Sequence, residues 1–428
     1  MSSTSGITSD AASSRHAESG LACMIGVFFS ARTIVVLLAV RIFGADPRTG
    51  SALVLASDFV LLCAVWFYSL GPADYTFGSM LQGSTIRWVV IFLSFSCCSL
   101  AWSRTVSLPT SFAYWCGMAA DTAIVILVLR TGPVNVVSHS LMKGFIWSTC
   151  CLALIAWIMP TQADLRLGDE QFFNTNQIGN LCAFAILLAQ YLVRRKVGNW
   201  GPAIAFLSIT LLRSLSKTTI VAFLVSEGYL MIQDRSVSRK TKLLLTAGMI
   251  TIILVFWGLF EAYYDVYTTA GNQAETLTGR TAIWAYVLNA AIGQPWIGHG
   301  FDSMWKVVPP FGHDQFEARH AENEMLQQFY AYGIVGLVML GGLYGSLYRD
   351  FRRLQRGSVR VILISTMIFF VVRGLAEAEP FDLLLPLWAI VLLSMLARSE
   401  TVVEEGRAPS LSVGSDSTNL RQQARALQ

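Results

Sequence analysis

Apolar stretches of about 20 residues alternate with short polar segments along most of this chain. Each stretch is long enough to cross a hydrocarbon layer of about 30 Å as an α-helix. The predicted spans are 21–42, 52–70, 86–102, 111–129, 142–159, 178–193, 200–213, 217–232, 242–260, 327–348, 358–373 and 381–397. The pattern therefore predicts an all-α, polytopic membrane protein with about 12 transmembrane helices.

The polar segments divide the chain further. We expect spans one to nine within 21–260, one large helical loop at 261–326, and spans ten to twelve within 327–397. The tails at 1–20 and 398–428 are polar and lack aromatic residues, so we expect both to be disordered. The run after residue 20 is longer than a signal-peptide core and predicts a retained span.

Basic residues predict the orientation. They cluster after the sixth, eighth and tenth spans: Arg194, Arg195 and Lys196; then Arg235, Arg239, Lys240 and Lys242; then Arg349, Arg352, Arg353, Arg356 and Arg360. With twelve spans these clusters share one side, which the positive-inside rule makes cytoplasmic. Both termini then lie inside and the loop 261–326 lies outside, although Arg41 and Arg48 oppose this orientation.

Composition agrees with lipid as the solvent. The chain is 54% hydrophobic and 14% charged, with a net charge of +4, whereas soluble domains carry about 25% charged residues. The Lys and Arg residues follow the topology, so no nucleic-acid partner is expected. All 8 cysteines fall inside apolar runs, which indicates small buried hydrophobes.

Arg280 is the first candidate for chemistry in the outer loop. Helical spacing relates Trp284, Val287, Leu288 and Ala291, which predicts a short amphipathic helix after Gly279. Arg280 would stand at its start, where a positive charge opposes the helix dipole. That cost indicates an external anion, since a guanidinium binds phosphate through two parallel donors. A surface salt bridge or a lipid-headgroup contact is the structural alternative.

A second block lies at 313–324. Taken as a helix, it places His313, Glu317, His320 and Glu324 on one face. This spacing suits a divalent metal, a general base near the membrane surface, or a solvated polar helix end.

Several charged residues lie in or near the spans. Arg213 and Lys217 lie four residues apart, which predicts two cations on one face near the outer surface. Such a pair suits a pyrophosphate site, or snorkels to lipid headgroups. Arg373 and Glu377 are expected to pair across one helical turn.

Deeper in the membrane, ionisable groups are costly and usually face the bundle interior. We expect Arg32 and Asp58 to form a structural ion pair. A transporter would instead use such groups, with Asp121, for transport.

The sequence has no phosphate-cradling glycine loop of the kind that binds nucleotides, and no Gly-x-Ser-x-Gly of the kind that carries a serine nucleophile. A site on the outer face has no ATP available either. A donor used there must arrive already activated, and a lipid pyrophosphate is such a donor.

Six blocks of this sequence resemble the signature of the O-antigen ligase/polymerase superfamily, with exopolysaccharide polymerases of the ExoQ type as the nearest branch. The similar blocks are Leu277–Trp284, Pro295–Trp305, Ser99–Ser103, Asn174–Asn180, Ser214–Thr218 and Arg373–Glu377. They occur in the same order as in the family, and the resemblance extends over most of residues 90–397. As a set they are specific, and each alone is weak.

The resemblance implies glycosyl transfer at the periplasmic face of the bacterial inner membrane, with no cofactor and no metal. Repeat units on undecaprenyl pyrophosphate would be polymerised into exopolysaccharide or O-antigen-type polysaccharide. Arg280, His320 and Glu322 are then expected to be catalytic. Pyrophosphate or substrate binding is expected from Lys217, Arg213, Arg373, Glu377, Asn176 and Trp284.

One block departs from the family pattern. Where the family often has His-Ala-His-Asn, this chain has His320, Ala321, Glu322 and Asn323. A carboxylate can still act as a base, so His320 and Glu322 remain alternatives for taking the proton.

Two other functions remain open. A ligase moving a finished glycan onto lipid A core or protein would share these motifs. A polysaccharide transporter or flippase would need discontinuous helices and repeats. The expected partners are a lipid-linked oligosaccharide and membrane lipids, with a chain-length regulator and export machinery as further candidates.

Overall fold

The computed structural model describes residues 5–71, 75–160, 165–168, 173–234, 238–255, 277–310 and 317–407. Every helix or strand element assigned within these ranges is an α-helix. In chain order they are α1 (Ser5–Arg41), α2 (Pro47–Tyr68), α3 (Phe77–Leu81), α4 (Ser84–Ser99), α5 (Leu108–Arg130), α6 (Val134–Ile158), α7 (Thr175–Arg194), α8 (Gly201–Ser214), α9 (Lys217–Gln233), α10 (Arg239–Val255), α11 (Leu277–Ile292), α12 (Glu324–Arg353), α13 (Ser358–Arg373) and α14 (Leu387–Arg407).

A helix covers most of every predicted span, so the all-α, multi-pass membrane architecture is confirmed. Within the described residues, 6 helices are long and apolar enough to cross a membrane. They are Ser19–Arg41, Thr49–Tyr68, Leu108–Arg130, Val134–Ile158, Thr175–Arg194 and Glu324–Arg353, and α4 and α8 are shorter apolar helices. The count of twelve, the orientation and the segment boundaries stay predictions.

The central element of the bundle is α14. It packs against α4, α5, α6 and α12, and its residues from Leu387 to Ala397 are all buried. A helix that is apolar on every side belongs in the interior. The helix begins six residues after the predicted start at 381, because Pro386 precedes it and the Asp382 carboxylate accepts hydrogen bonds from the backbone of Leu383 and Leu387.

Small residues let α1 and α6 approach closely. A Cβ added at Gly26 would lie 1.9 Å from the Leu141 carbonyl oxygen, and one at Gly144 would lie 1.9 Å from the Cys23 carbonyl oxygen. Such glycine contacts are typical of helix pairs in membranes, where close backbone packing replaces the hydrophobic effect.

The predicted intramembrane ion pair is confirmed and includes a third member. Arg32 Nη2 lies 2.7 Å from Asp58 Oδ1, and the same guanidinium contacts both carboxylate oxygens of Asp121. The three residues join α1, α2 and α5. A buried charge needs such compensation, so the cluster has a sufficient structural role.

Helix α11 has its own small core. Ile283, Val287 and Ala291 are buried. Their neighbours in this cluster are Met304, Val308, Ala318, Ala321 and Tyr330. The predicted amphipathic helix is confirmed, but Leu288 is 46% exposed. Its buried face is therefore centred on Ile283 and Val287.

The interpretation of the block 313–324 as a helix is wrong for the residues that the structure describes. Residues 317–323 are not helical, and α12 begins at Glu324 with Asn323 as its N-cap. The Asn323 side chain accepts a hydrogen bond from Leu326 N, which fixes this start. His320 and Glu324 therefore share no helical face, and His313 lies outside the described residues.

Candidate functional site

Arg280 lies in the first turn of α11, as predicted, and contacts two other segments. Its Nη1 donates a hydrogen bond of 2.8 Å to the Ala376 carbonyl oxygen. Its Nη2 lies 3.4 Å from Glu322 Oε2. Arg280 thus joins the loop after α13 to the segment before α12.

Glu322 stands between Arg280 and His320. Its Oε1 lies 3.7 Å from His320 Nδ1, and its carbonyl oxygen accepts a hydrogen bond of 3.2 Å from Trp284 Nε1. Glu322 has a φ of 51°, a backbone conformation that is uncommon for a residue with a side chain. The Trp284 contact helps to hold this conformation, so four predicted site residues meet here.

Arg373 and Glu377 form a buried pair beside this group. Arg373 Nη2 lies 3.8 Å from Glu377 Oε2, and the two side chains are 1% and 5% exposed. The pairing is confirmed, although Gly374 ends α13 between them. Arg373 Nη1 has no hydrogen-bond partner among the described residues. A buried donor without a partner is costly, and an anionic ligand would satisfy it.

Lys217 and Arg213 do not share one helical face, so that part of the prediction is wrong. Leu215 has a φ of 60° and ends α8, and Lys217 begins the separate helix α9. Arg213 donates to the Leu165 carbonyl oxygen at 2.7 Å. Lys217 opens the turn that contains Thr219, whose Oγ1 accepts a hydrogen bond of 3.4 Å from Arg373 Nε.

Asn176 joins the start of α7 to the start of α9. Its Oδ1 accepts a hydrogen bond of 2.8 Å from Ser216 Oγ. The lack of a side chain at Gly179 permits this approach, because an added Cβ would lie 3.0 Å from Ser216 Cβ. The predicted residue Asn176 therefore lies next to the helix that Lys217 begins.

These contacts bring together the amino-terminal ends of α7, α9, α11 and α12. The path runs from Asn176 through Ser216 and Thr219 to Arg373 and Glu377, and from Glu322 to Arg280. The amino-terminal end of a helix carries a partial positive charge and unpaired N–H groups. Together with the cationic side chains, the arrangement can bind an anion such as pyrophosphate.

The sequence pattern missed two acids near this group, Glu379 and Asp382, and it placed Glu324 on a helical face with His320 that does not form. Glu324 accepts hydrogen bonds from Leu384 N and Tyr344 Oη. Burial raises the pKa of Glu379, against the positive charge of Arg373. Burial also raises the pKa of Asp382 to about 8. The available signal was a run of three acids, from Glu377 to Asp382, within an otherwise apolar stretch.

Three groups in the cluster have the chemistry of metal ligands. One ligand atom each from His320, Glu322 and Glu377 lies within 4.8 Å of the others. However, Arg280 faces Glu322 and Arg373 faces Glu377. A divalent cation would bring further positive charge against these two guanidinium groups.

The glycine block of the loop is structural. His299 N and Gly300 N donate to the carbonyl oxygens of Tyr330 and Ala331, at 3.0 and 2.8 Å. Phe301 N donates to Ser99 Oγ at 3.0 Å. Two of the family-like sequence blocks, Ser99–Ser103 and Pro295–Trp305, therefore bond to each other, and the second of them also bonds to α12.

Residues 202–341 match the family described as O-antigen ligase. The exopolysaccharide production protein ExoQ of Rhizobium meliloti is 23% identical over 322 residues, covering 68% of this chain and 72% of that protein. The O-antigen ligase of Pseudomonas aeruginosa is 28% identical over 200 residues, covering 46% of each chain. The resemblance inferred from the motifs is thereby confirmed. The family match includes Lys217, Arg280, His320 and Glu322 but ends before Arg373.

Proposed function

We propose that this chain, whose residues 202–341 match the family described as O-antigen ligase, transfers glycan chains between lipid-linked carriers at the outer face of the membrane. The donor is a repeat unit or chain on undecaprenyl pyrophosphate. A hydroxyl of a second lipid-linked repeat attacks the anomeric carbon, the new glycosidic bond forms, and the bond to pyrophosphate breaks. Repetition of this step polymerises the repeat units.

The observation that carries the proposal is the cationic cluster at the meeting point of four helix starts. Charge develops on the pyrophosphate as the anomeric bond breaks, and fixed donors stabilise it without reorganisation. Arg280 can present its guanidinium from the first turn of α11. Arg373 Nη1 offers a buried donor that lacks a hydrogen-bond partner in the described part of the chain. Lys217 adds a third positive charge at the start of α9.

His320 is the better candidate for the base. Glu322 already faces the Arg280 guanidinium at 3.4 Å, and this contact occupies its carboxylate. His320 is 24% exposed and lies beside that carboxylate, which can orient the ring and stabilise the imidazolium formed on proton transfer. Glu322 is then a positioning residue for both Arg280 and His320.

We propose that the reaction needs no metal. The leaving pyrophosphate would be neutralised by guanidinium groups and helix ends, which take over the task that Mg²⁺ performs elsewhere. A chelator should therefore leave the activity unchanged, whereas a metal held by His320, Glu322 and Glu377 would make the activity sensitive to EDTA.

We propose polymerisation rather than ligation. The support for this choice is that the similarity to the exopolysaccharide production protein ExoQ extends over 68% of the chain, against 46% for the O-antigen ligase. A ligase of the same family would use the same cluster with a different acceptor. Nothing in the comparisons supports a flippase, and the Arg32, Asp58 and Asp121 cluster has a structural explanation.

Reconstitution of the full chain in vesicles tests the function. Purified protein is given only undecaprenyl-pyrophosphate-linked repeat units, and the products are separated by size. Chain growth without another acceptor supports a polymerase. Transfer only after lipid A core or a protein is added indicates a ligase. Movement of the donor across the vesicle membrane without a new glycosidic bond would contradict both and indicate a flippase.

The cellular location, the membrane orientation and the protein partners are also proposals. The chain would lie in the bacterial inner membrane with both termini in the cytoplasm and the segment with Arg280 in the periplasm. A chain-length regulator and export machinery are the expected protein partners. Cysteine labelling from either side of intact cells, at positions near Arg280 and near Arg352, tests this orientation.

A further inference from the structure

A groove of about 390 Å³ runs between α11 and α12. Its lining residues are Trp284, Ala285, Leu288, Asn323, Met325, Leu326, Phe329 and Leu337. The volume falls within the range of about 300–1,000 Å³ that is usual for small-ligand sites. None of the lining residues carries a charge.

The groove is apolar up to its border with the cationic cluster. Its two polar lining side chains have partners outside it: Trp284 Nε1 donates to Glu322 O, and Asn323 Nδ2 donates to Leu375 O at 2.9 Å. Glu322 faces Arg280, and Leu375 precedes Ala376, which accepts the Arg280 hydrogen bond. The apolar groove and the cationic cluster therefore share a border at Trp284 and Asn323.

The other wall of the groove belongs to a candidate membrane span. Helix α12, Glu324–Arg353, is long and apolar enough to cross a bilayer, and the groove follows its first turns from Met325 to Leu337. Met325 is 54% exposed and Leu288 is 46% exposed. Exposed apolar side chains on the walls of a concave surface mark a binding site for another apolar group.

We propose that this groove holds the first isoprene units of the polyprenyl chain on the lipid-linked donor, while the pyrophosphate lies at Arg280. This inference rests on the proposed function and names the subsite for the lipid part of its substrate. An amphiphile with an anionic head and an apolar tail matches the change from cationic cluster to uncharged groove. The tail can leave the groove into the surrounding bilayer along α12.

The test compares two donors that carry the same sugar pyrophosphate. One has the full undecaprenyl chain, and the other has a two-unit prenyl chain that is too short to fill the groove. Leu288→Trp and Ala285→Trp reduce the space between the helices. Leu53→Trp on α2 is the matched control, because Leu53 is also 46% exposed and lies on another helix.

We expect Leu288→Trp and Ala285→Trp to raise the KM for the long-chain donor about tenfold, the effect of about 1.4 kcal/mol of lost binding, with kcat unchanged. The KM for the short-chain donor and both constants of Leu53→Trp should not change. Equal shifts for both donors, or Leu288→Trp behaving like Leu53→Trp, would overturn the proposal. Wild-type protein that uses neither donor would instead refute the proposed function.

Photo-crosslinking of the wild-type protein provides a second measurement that depends on no variant. A donor with a diazirine on its second isoprene unit should label peptides that contain Leu288 or Met325. Labelling should fall when unmodified undecaprenyl pyrophosphate is added. Labelling confined to peptides of other helices, or labelling that this competitor does not reduce, would overturn the proposal.

Discussion

Nη2 of Arg280 lies 3.4 Å from Oε2 of Glu322 and joins the first turn of α11 to the segment before α12. If this guanidinium stabilises the leaving pyrophosphate, Arg280→Ala should lower kcat/KM about 10²–10³-fold, as the loss of one fixed donor does. Arg280→Lys keeps the charge but not the planar pair of donors, so its activity should be intermediate. Transfer by purified variants measures both.

Arg352→Ala is the control for these variants, since Arg352 is exposed near the other end of α12. It should retain wild-type transfer. Wild-type kcat/KM in Arg280→Ala, at equal protein levels, would contradict the anion-binding role.

His320 and Glu322 lie close together but have different expected roles. His320→Gln should lower kcat about 10²–10⁴-fold, the usual contribution of a general base. It should also remove the fall in rate at acidic pH. Glu322→Gln should retain that fall and lower the rate less, because it disturbs only the orientation of its neighbours. Rate profiles against pH for the two variants measure this difference, and a reversed pattern would make Glu322 the base.

Variants of the buried Arg373–Glu377 pair distinguish an effect on stability from an effect on activity. Arg373→Met leaves Glu377 buried without its cation and should cost about 3–5 kcal/mol of stability. The double variant Arg373→Met, Glu377→Gln removes both charges and should recover most of that stability but little of the activity. Thermal unfolding in detergent and transfer assays measure the two effects. Recovery of full activity in the double variant would show that the pair is only structural.

The raised pKa of Asp382 should make the stability of the folded protein depend on pH. Burial raises its pKa to about 8, while the unfolded chain releases this proton near pH 4. The folded state therefore holds more protons between these values, and its stability falls as pH rises from about 4 to about 8. Asp382→Asn keeps an oxygen for Leu383 N and Leu387 N and removes the charge.

The melting temperature of Asp382→Asn should exceed that of the wild type by more at pH 9 than at pH 5. The exposed Asp46, just before α2, gives the control when it is changed to Asn. An equal difference at the two pH values would show that the Asp382 proton is not retained in the folded state.

Helix α12 is kinked at Gly333. Two glycines allow the segment Pro295–Trp305 to pack against this kink. Gly298 and Gly333 both have a φ of 63°. An added Cβ would lie 2.5 Å from Ala331 C and 2.4 Å from Trp296 C, respectively. Alanine at either position should destabilise the protein by more than about 1 kcal/mol and lower the amount of folded protein in the membrane. Gly341→Ala, where an added Cβ meets nothing within 4 Å, should have no such effect.

Much of the site was visible as separate motifs in the sequence. Apolar periodicity predicted the helices, since each must satisfy its own backbone in lipid. Arg280 at a helix start and the Arg373–Glu377 pair follow from short spacing along the chain. These features depend on residues that are near one another in the chain.

The errors arose where the backbone leaves helical geometry. A left-handed Leu215 separates Arg213 from Lys217, and a left-handed Glu322 with the Asn323 cap ends any helix before α12. Such conformations depend on neighbours from other segments, including Trp284, which bonds to the Glu322 carbonyl oxygen. Spacing within one segment therefore gave the wrong faces at both places.

The sequence by itself determined the helical membrane architecture, the family resemblance and the residue types that suit a lipid pyrophosphate. Only the tertiary structure decided that Arg280, Glu322 and His320 meet the buried Arg373–Glu377 pair, and that an apolar groove borders them. The physical reason is that helix periodicity is a local property of the chain. The convergence of four helix starts depends instead on contacts between distant segments, such as those of Ser216 with Asn176 and of Thr219 with Arg373.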